Sequence, residues 1–144
     1  RSSRRRADAA LAEGIERDGI ETFVDGWERQ PIFASRAALP PRRAAWIRRL
    51  RLRNDAAGLA ASLRAAGQGA MEPLHGRLSA VRAPTLVIAG ALDPVGRARA
   101  AAIAAGVPGA RLAIIDGVGH TPHEERPQRF RRLALDFLQE DPAA

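Results

Sequence analysis

The sequence lacks several residue types on which whole functional classes depend. Its 144 residues include no cysteine, no tyrosine and no lysine, and histidine occurs only at His75, His120 and His123. Without cysteine, disulfide bonds and thiolate metal sites are excluded. The three histidines also lack the H-E-x-x-H spacing of zinc hydrolases. We therefore expect neither a metal nor a cofactor.

Aromatic residues are scarce as well, at 4%, although the formal net charge is +7. Clustered arginines neutralise phosphates, which favours nucleic-acid binding. Single-strand binding, however, needs aromatic side chains on which bases stack, and no helix-turn-helix or RNP pattern occurs. All 23 basic residues are arginine in a chain rich in Ala and Gly, as GC-rich coding produces. We expect no nucleic-acid partner.

No apolar run approaches the roughly 18 residues that a membrane span requires. The Arg-rich first residues also lack the apolar core of a signal peptide. These absences predict a cytoplasmic protein without a membrane partner. A hydrophobic content of 46% over 144 residues is enough for a domain with a real core. Because residue 1 is an arginine inside a charged helical pattern, we expect the chain to be a piece of a longer protein.

The first half of the chain has helical patterns and no strand pattern up to about residue 70. Three helical units are predicted, over residues 7–29, 39–54 and 55–69. The first is divided near Gly19 and has an apolar stripe that includes Trp27. The second is amphipathic and strongly basic. Asp55 is expected to cap the third, and a glycine in the left-handed conformation is expected to end it.

After a boundary near residues 71–83, the sequence pattern predicts strands that alternate with helices. The apolar runs PTLVIAG (84–90) and RLAIID (111–116) predict strands, and helices are predicted over 96–110 and 126–140. This order indicates two parallel strands with crossover helices. Two parallel strands alone have exposed edges, so the unit needs a sheet to join. We predict a helical region over 1–75 and an α/β region over 76–144.

Each predicted strand is followed by one titratable residue, Asp93 after the first and His120 after the second. Reactive groups of open α/β sheets gather beyond the carboxyl ends of the strands. A catalytic imidazole needs a buried carboxylate that selects its tautomer, and the acid precedes the histidine in one known triad order. The spacing therefore predicts an Asp93–His120 pair. Taken alone, Asp93 ahead of Pro94 is also typical of a helix cap.

The segments RAPTLVIAGALDP and DGVGHTPHEERPQRFRRLALDFL resemble the carboxyl-terminal third of the α/β-hydrolase family, in which G-x-x-D and G-H-x-x-x-x-E-x-P recur. The resemblance implies an α/β fold class: the C-terminal part of an α/β-hydrolase fold, with parallel strands and crossover helices, preceded by a helical cap. It implies that Asp93 and His120 are catalytic. His123 and Glu125 are interpreted as shaping the loop and the next helix. No G-x-S-x-G occurs, so we expect the nucleophilic serine upstream of residue 1.

The helical half of the chain indicates a more specific family within the α/β-hydrolases. FVDGWERQPIFAS and RLRNDAAGLAASLRAAGQGAMEPLHGRL are similar to the cap of the 2-succinyl-6-hydroxy-2,4-cyclohexadiene-1-carboxylate synthase family of menaquinone biosynthesis. The resemblance implies a lyase whose triad removes a proton so that pyruvate is eliminated. It also implies that Arg4, Trp27 and Arg51 bind a small polycarboxylate substrate. In place of the Lys-Phe pair that often follows the acid in this family, the chain has PVG (94–96), which leaves pocket contacts there open.

Three functional alternatives remain open at this point. The first is the lyase, of which the isolated chain should be inactive. The second is a carboxylic-ester hydrolase of the same fold, and the third is a non-catalytic basic interaction module. Trp27 is equally typical of a helical core, and Arg51 of a solvated helix face. The sequence does not determine the oligomeric state.

Overall fold

A computed structural model describes residues 1–140, which form two compact units. The first unit comprises Arg1–Gln30 and Pro40–Pro73, and the second comprises Pro31–Leu39 and the residues from Leu74 onward. None of the helices within residues 1–140 is long and apolar enough to cross a membrane. The proposed domain division between residues 75 and 76 stays a prediction, and it did not include the assignment of residues 31–39 to the second unit.

The first unit is helical, as the sequence predicts. Its helices are α1 (Ser2–Glu28), α2 (Pro41–Leu52) and α3 (Ala56–Ala66). The interruption expected near Gly19 is a kink at that residue, where φ is 81° and ψ is 170°. Glycine adopts this conformation without the steric cost that a Cβ atom would impose. The buried apolar side chains of the unit come from all three helices: Ala12, Ile15, Val24, Ile47 and Ala60.

The sequence correctly predicts the residue that caps the start of α3 but not the backbone conformation at its end. Asp55 caps its start, where the carboxylate accepts the Gly58 N–H at 2.6 Å. The left-handed glycine expected at the other end was wrong, because neither Gly67 nor Gly69 has a positive φ, and Gly67, at which the helix ends, is extended with φ −60° and ψ 156°. A Cβ atom there would overlap the Leu63 carbonyl and the Asp8 carboxylate. Close approach of these groups, and not backbone handedness, requires the glycine.

A buried carboxylate joins the start of α1 to the turn after α3. Asp8 is 4% exposed, and its Oδ1 accepts a hydrogen bond from Arg4 Nε at 2.8 Å. Its Oδ2 accepts the Gly69 N–H at 3.0 Å. Arg5 Nε donates to the Gly69 carbonyl at 3.1 Å. The turn is thus tied to α1 through both its N–H and its C=O.

The second unit contains the predicted parallel strands. Its elements are a 3₁₀ helix (Pro31–Ala38), a second 3₁₀ helix (His75–Ala80), β1 (Leu86–Gly90), α4 (Pro94–Gly106), β2 (Arg111–Ile115), α5 (Pro122–Glu125) and α6 (Pro127–Gln139). The strands pair in parallel from Leu86 opposite Arg111 to Gly90 opposite Ile115. Because α4 is the crossover between them, the predicted strand, helix, strand, helix order is confirmed. The register aligns the carboxyl ends of the two strands.

Packing in the second unit is uneven across the sheet. Helices α4 and α6 contact β1, and the buried apolar side chains near the strands are Ala89, Ala100, Val107, Ile115 and Val118. On β2, however, Leu112 is 42% exposed and Ile114 is 39% exposed. Strands of parallel sheets are normally covered on both faces. Within the described residues, β2 is therefore not covered on both faces.

Replacing Asp8 with alanine is expected to destabilise the first unit. The substitution leaves the Gly69 N–H without its acceptor, and an unsatisfied buried donor costs about 1–3 kcal/mol. Urea unfolding followed by helical circular dichroism measures the change. Glu21→Ala, at an exposed position of the same helix, should stay within about 0.5 kcal/mol of the parent. Equal midpoints for the two variants would contradict the assigned role of Asp8.

Candidate functional site

The loops that follow β1 and β2 are joined by main-chain hydrogen bonds. Ala91 N–H donates to the Ile115 carbonyl at 2.9 Å, and Leu92 N–H donates to the Val118 carbonyl at 2.8 Å. A Cβ atom on Gly90 would overlap the main chain of the second loop, so only glycine permits this approach. The two loops are therefore packed against each other at the carboxyl ends of the two strands.

Asp93 occupies the first of these loops and uses both oxygens. Oδ1 accepts the Gly96 N–H at 2.8 Å and thereby caps α4, while Oδ2 lies 2.7 Å from Nδ1 of His120. The helix-cap reading and the histidine-partner reading of this residue both hold. Burial favours the neutral acid, but the Gly96 N–H and His120 outweigh it and lower the pKa of Asp93. Asp93 is therefore ionised at neutral pH.

The geometry selects one tautomer of His120. Because the ionised Asp93 can only accept, Nδ1 is the donor of their hydrogen bond, and a neutral ring then has its lone pair on Nε2. Within residues 1–140 Nε2 has no hydrogen-bond partner. The edge-to-face contact with Phe33, at 5.8 Å between ring centroids, covers one side of the imidazole. Nε2 is thus available to take up a proton.

A buried glutamate holds the loop on both sides of His120. Oε2 of Glu125 accepts the Gly119 N–H at 2.9 Å, and Oε1 accepts the Thr121 N–H and Oγ1–H, each at 3.1 Å. Burial favours the neutral acid, but the Gly119 and Thr121 N–H groups outweigh it and lower the pKa of Glu125. These contacts agree with the interpretation of Glu125 as a residue that shapes the loop.

The 3₁₀ helix Pro31–Ala38 contributes three further side chains around this loop. Phe33 contacts His120, and a Cβ atom on Gly119 would overlap the side chain of Ser35. Arg36 Nε lies 3.2 Å from Glu124 Oε2, with both side chains largely buried. Sequence reasoning missed Ser35 and Arg36, and the only signal for Phe33 was its place in the segment FVDGWERQPIFAS, which resembles the cap of the family.

Arg51, in the first unit, is paired with an acid. Its Nη1 donates to Glu28 Oε1 at 2.8 Å, and Arg48 reaches the other oxygen of Glu28 at 3.2 Å. Arg48 also pairs with Asp25 at 2.6 Å. Arg48 and Arg51 thus form ion pairs with Asp25 and Glu28. The arginine expected to bind an anionic substrate already has an internal carboxylate partner.

Trp27 and Arg4 both belong to α1, on opposite sides of the kink at Gly19. Trp27 lies 5.6 Å from Phe23, centroid to centroid, and the two rings line a cavity of about 350 Å³ along α1. Arg4 is held through Nε by Asp8. Arg4 thus lies near the start of α1, and Trp27 lies near its end, one residue before Glu28, the partner of Arg51.

The Asp93–His120 arrangement supports acid–base chemistry. An ionised carboxylate selects the tautomer of an imidazole and stabilises its protonated form, which is the relation found in catalytic triads. Both groups lie beyond the carboxyl ends of parallel strands, where reactive groups of this sheet type collect. Among residues 1–140 no group of three or more His, Asp and Glu side chains is placed to hold a metal ion.

Known proteins with similar sequences include enzymes of one named activity. Over 131 residues the chain is 37% identical to a Bacillus subtilis (strain 168) protein provisionally assigned as 2-succinyl-6-hydroxy-2,4-cyclohexadiene-1-carboxylate synthase, covering 91% of this chain and 48% of that protein. It is 35% identical over 127 residues to the Klebsiella pneumoniae (strain ATCC 700721 / MGH 78578) enzyme of the same name, covering 88% and 47%. The chain spans about half the length of the curated relatives it matches.

Solved structures and a family model agree on the fold. MenH from S. aureus superposes with a TM-score of 0.93 at 36% identity, over 95% of this chain and 52% of that one. A malate-bound thermophilic esterase from Thermogutta terrifontis superposes with a TM-score of 0.83 at 22% identity, over 96% and 51%, which shows likeness of fold alone. The model described as the alpha/beta hydrolase family matches residues 2–133. The chain belongs to the α/β-hydrolase family.

Proposed function

We propose that the protein containing this chain is a menaquinone-pathway lyase, a 2-succinyl-6-hydroxy-2,4-cyclohexadiene-1-carboxylate synthase. The geometric observation behind the proposal is the 2.7 Å contact between Asp93 and His120 beyond the carboxyl ends of two parallel strands. The choice of reaction is supported by the names of relatives at 37% and 35% identity. The superposition on MenH at a TM-score of 0.93 supports the same choice.

In this proposal Asp93 and His120 are two members of a Ser-Asp-His triad. The 144 residues contain no G-x-S-x-G motif, so the serine would come from a part of the protein that precedes this chain. Asp93 keeps Nδ1 protonated, and Nε2 of His120 then receives a proton as general base. The triad removes a proton from the substrate, and pyruvate is eliminated. Hydrolysis is not part of the reaction.

The substrate of such an enzyme bears carboxylates, for which arginine is a suitable partner because guanidinium binds carboxylate through two parallel hydrogen bonds. We propose Arg4, Arg51 and Trp27 as binding residues. Only Nε of Arg4 is engaged by Asp8, which leaves its two terminal nitrogens for a ligand. Arg51 would have to share its charge with Glu28 or exchange that partner for the substrate. Trp27 would offer an apolar wall.

The carboxylic-ester hydrolase stays the alternative within the family. An Asp-His pair serves ester hydrolysis as well as proton abstraction, so the site geometry is common to both readings. The reactions differ in substrate charge, and the arginines of the first unit are the residues that would respond to it. A non-catalytic basic module, the third reading, would not require the Asp93–His120 hydrogen bond.

The first expectation concerns the 144 residues by themselves. Because they contain no G-x-S-x-G motif, they should turn over neither the succinyl-cyclohexadiene substrate nor an ester. Pyruvate release and ester cleavage are both measured by absorbance. Activity of this chain alone that disappears in His120→Ala would overturn the assignment of the nucleophile to a preceding segment.

In the full-length protein, His120→Ala should abolish most of the chemical step. Loss of a general base typically lowers kcat by about 10²- to 10⁴-fold. Pyruvate release from the succinyl-cyclohexadiene substrate, followed at saturating concentration, measures the effect. His75→Ala serves as the matched control, because His75 is exposed. A similar kcat in the two variants would refute the role of His120, and an active protein that cleaves esters without releasing pyruvate would favour the hydrolase.

Arg51 and Glu28 together test carboxylate binding. If Arg51 binds the substrate, Arg51→Ala should weaken kcat/KM for the anionic substrate by roughly ten- to a hundredfold, the cost of about 1.5–3 kcal/mol for a charge-assisted hydrogen bond. A neutral ester should be nearly unaffected. Glu28→Gln, which releases Arg51 from its internal partner, should lower KM for the anionic substrate.

The pair of variants separates binding from packing. Equal losses for the anionic and the neutral substrate in Arg51→Ala, together with an unchanged KM in Glu28→Gln, would mean that the Arg51–Glu28 contact only joins α2 to α1. That result would move the preference to the ester hydrolase. Circular dichroism of each variant establishes that the helices persist.

A further inference from the structure

We propose that Glu125 is a positioning residue for His120, because its carboxylate holds the backbone on both sides of the histidine and so keeps the imidazole on Asp93. The inference rests on the proposed function, since it takes His120 as the base of the reaction. Glu125 touches neither the imidazole nor Asp93 through a hydrogen bond. Its action on the ring is through the main chain.

The distribution of hydrogen bonds carries the argument. Three hydrogen bonds that Glu125 accepts come from Gly119 and Thr121, the residues immediately before and after His120. The Thr121 carbonyl accepts the Glu124 and Glu125 N–H groups, both at 2.9 Å. Thr121 is therefore fixed through its N–H, its C=O and its hydroxyl. Between two anchored neighbours, the backbone of His120 has little freedom to rotate.

The exposure of the ring explains why this anchoring matters. The His120 side chain is 43% exposed, and among residues 1–140 its ring forms the Asp93 hydrogen bond and the edge-to-face contact with Phe33. These two interactions alone do not keep the His120 ring on the Asp93 carboxylate when the backbone of His120 moves. Glu125, in contrast, is only 7% exposed, and a buried carboxylate that accepts N–H groups is a stiff support. The buried Glu125 thus holds the backbone that carries the exposed His120 ring.

The neighbouring positions offer graded and matched variants. Glu125→Gln replaces one acceptor oxygen by an NH₂ donor, which would face an N–H group of the loop. Thr121→Val removes one hydrogen bond, from the hydroxyl to Oε1, and keeps both N–H bonds. Glu124→Gln removes the same charge one residue away; it turns the Arg36–Glu124 ion pair into a contact with a neutral amide and leaves the three bonds to Glu125 in place. These variants separate loss of geometry from loss of charge.

The experiment compares kcat, KM and the pH–rate profile of these variants in the full-length protein. In E125Q we expect kcat to fall by about ten- to a hundredfold, the usual cost of a misplaced catalytic group. KM should change little, since substrate contacts are untouched. In T121V a smaller fall is expected, and in E124Q kcat should stay within about twofold of the parent.

The pH profile distinguishes positioning from electrostatics. Removing a negative charge near an imidazole favours its neutral form, so a purely electrostatic effect would move the acid limb to lower pH and leave the alkaline plateau unchanged. Loss of position lowers the plateau itself. A plateau in E125Q equal to that of the parent would overturn the proposal.

Two further measurements keep the outcome decisive. If E125Q does not fold by circular dichroism, Glu125→Asp, which keeps the charge and withdraws the oxygens by one methylene, and T121V replace it, and an unchanged kcat in both overturns the proposal. His120→Ala is measured in parallel. Full activity in that variant would refute the proposed function, whereas a loss there combined with a normal E125Q refutes the positioning role alone.

Discussion

The parallel pairing of β1 with β2 is the constraint on which the candidate site depends. The register from Leu86 opposite Arg111 to Gly90 opposite Ile115 brings both carboxyl ends to one edge. A shift by one residue would turn the side chains of one strand to the opposite face and separate the two loops. Because the loops are also joined by main-chain hydrogen bonds, two residues far apart in the chain meet at 2.7 Å.

Two buried carboxylates, of Asp93 and Glu125, fix the orientation and the surroundings of the His120 ring at this edge. A buried charge is costly unless its oxygens are satisfied. Asp93 meets this condition with the Gly96 N–H and His120, so that one residue starts α4 and orients the ring. Glu125 meets it with three hydrogen bonds from groups of Gly119 and Thr121. The acids that stabilise local structure here are therefore the same groups that define the surroundings of the imidazole.

The first unit shows that net charge and local charge are different quantities. The chain carries +7, yet the guanidinium groups of Arg48 and Arg51 are matched by Asp25 and Glu28. Arg64 is likewise paired with Glu16 at 2.6 Å. Exposed pairs of this kind contribute little to stability, but they reduce the field that an anionic partner would meet. Whether an arginine serves a ligand is thus decided by its acid neighbours as much as by its own charge.

The sequence by itself determined the longer helices α1 to α4 and α6, the interruption of α1 at Gly19, the two strands and the acid that caps α4, because apolar periodicity, glycine freedom and capping are local properties. It also indicated that Asp93 and His120 belong together, since the order of the elements implies parallel strands. Only the tertiary structure placed Phe33 and Arg36 beside the histidine loop, gave Arg51 an acid partner and set Gly67 against Asp8. These contacts join residues distant in sequence, and their geometry arises only when the packed elements bring the side chains within hydrogen-bonding distance.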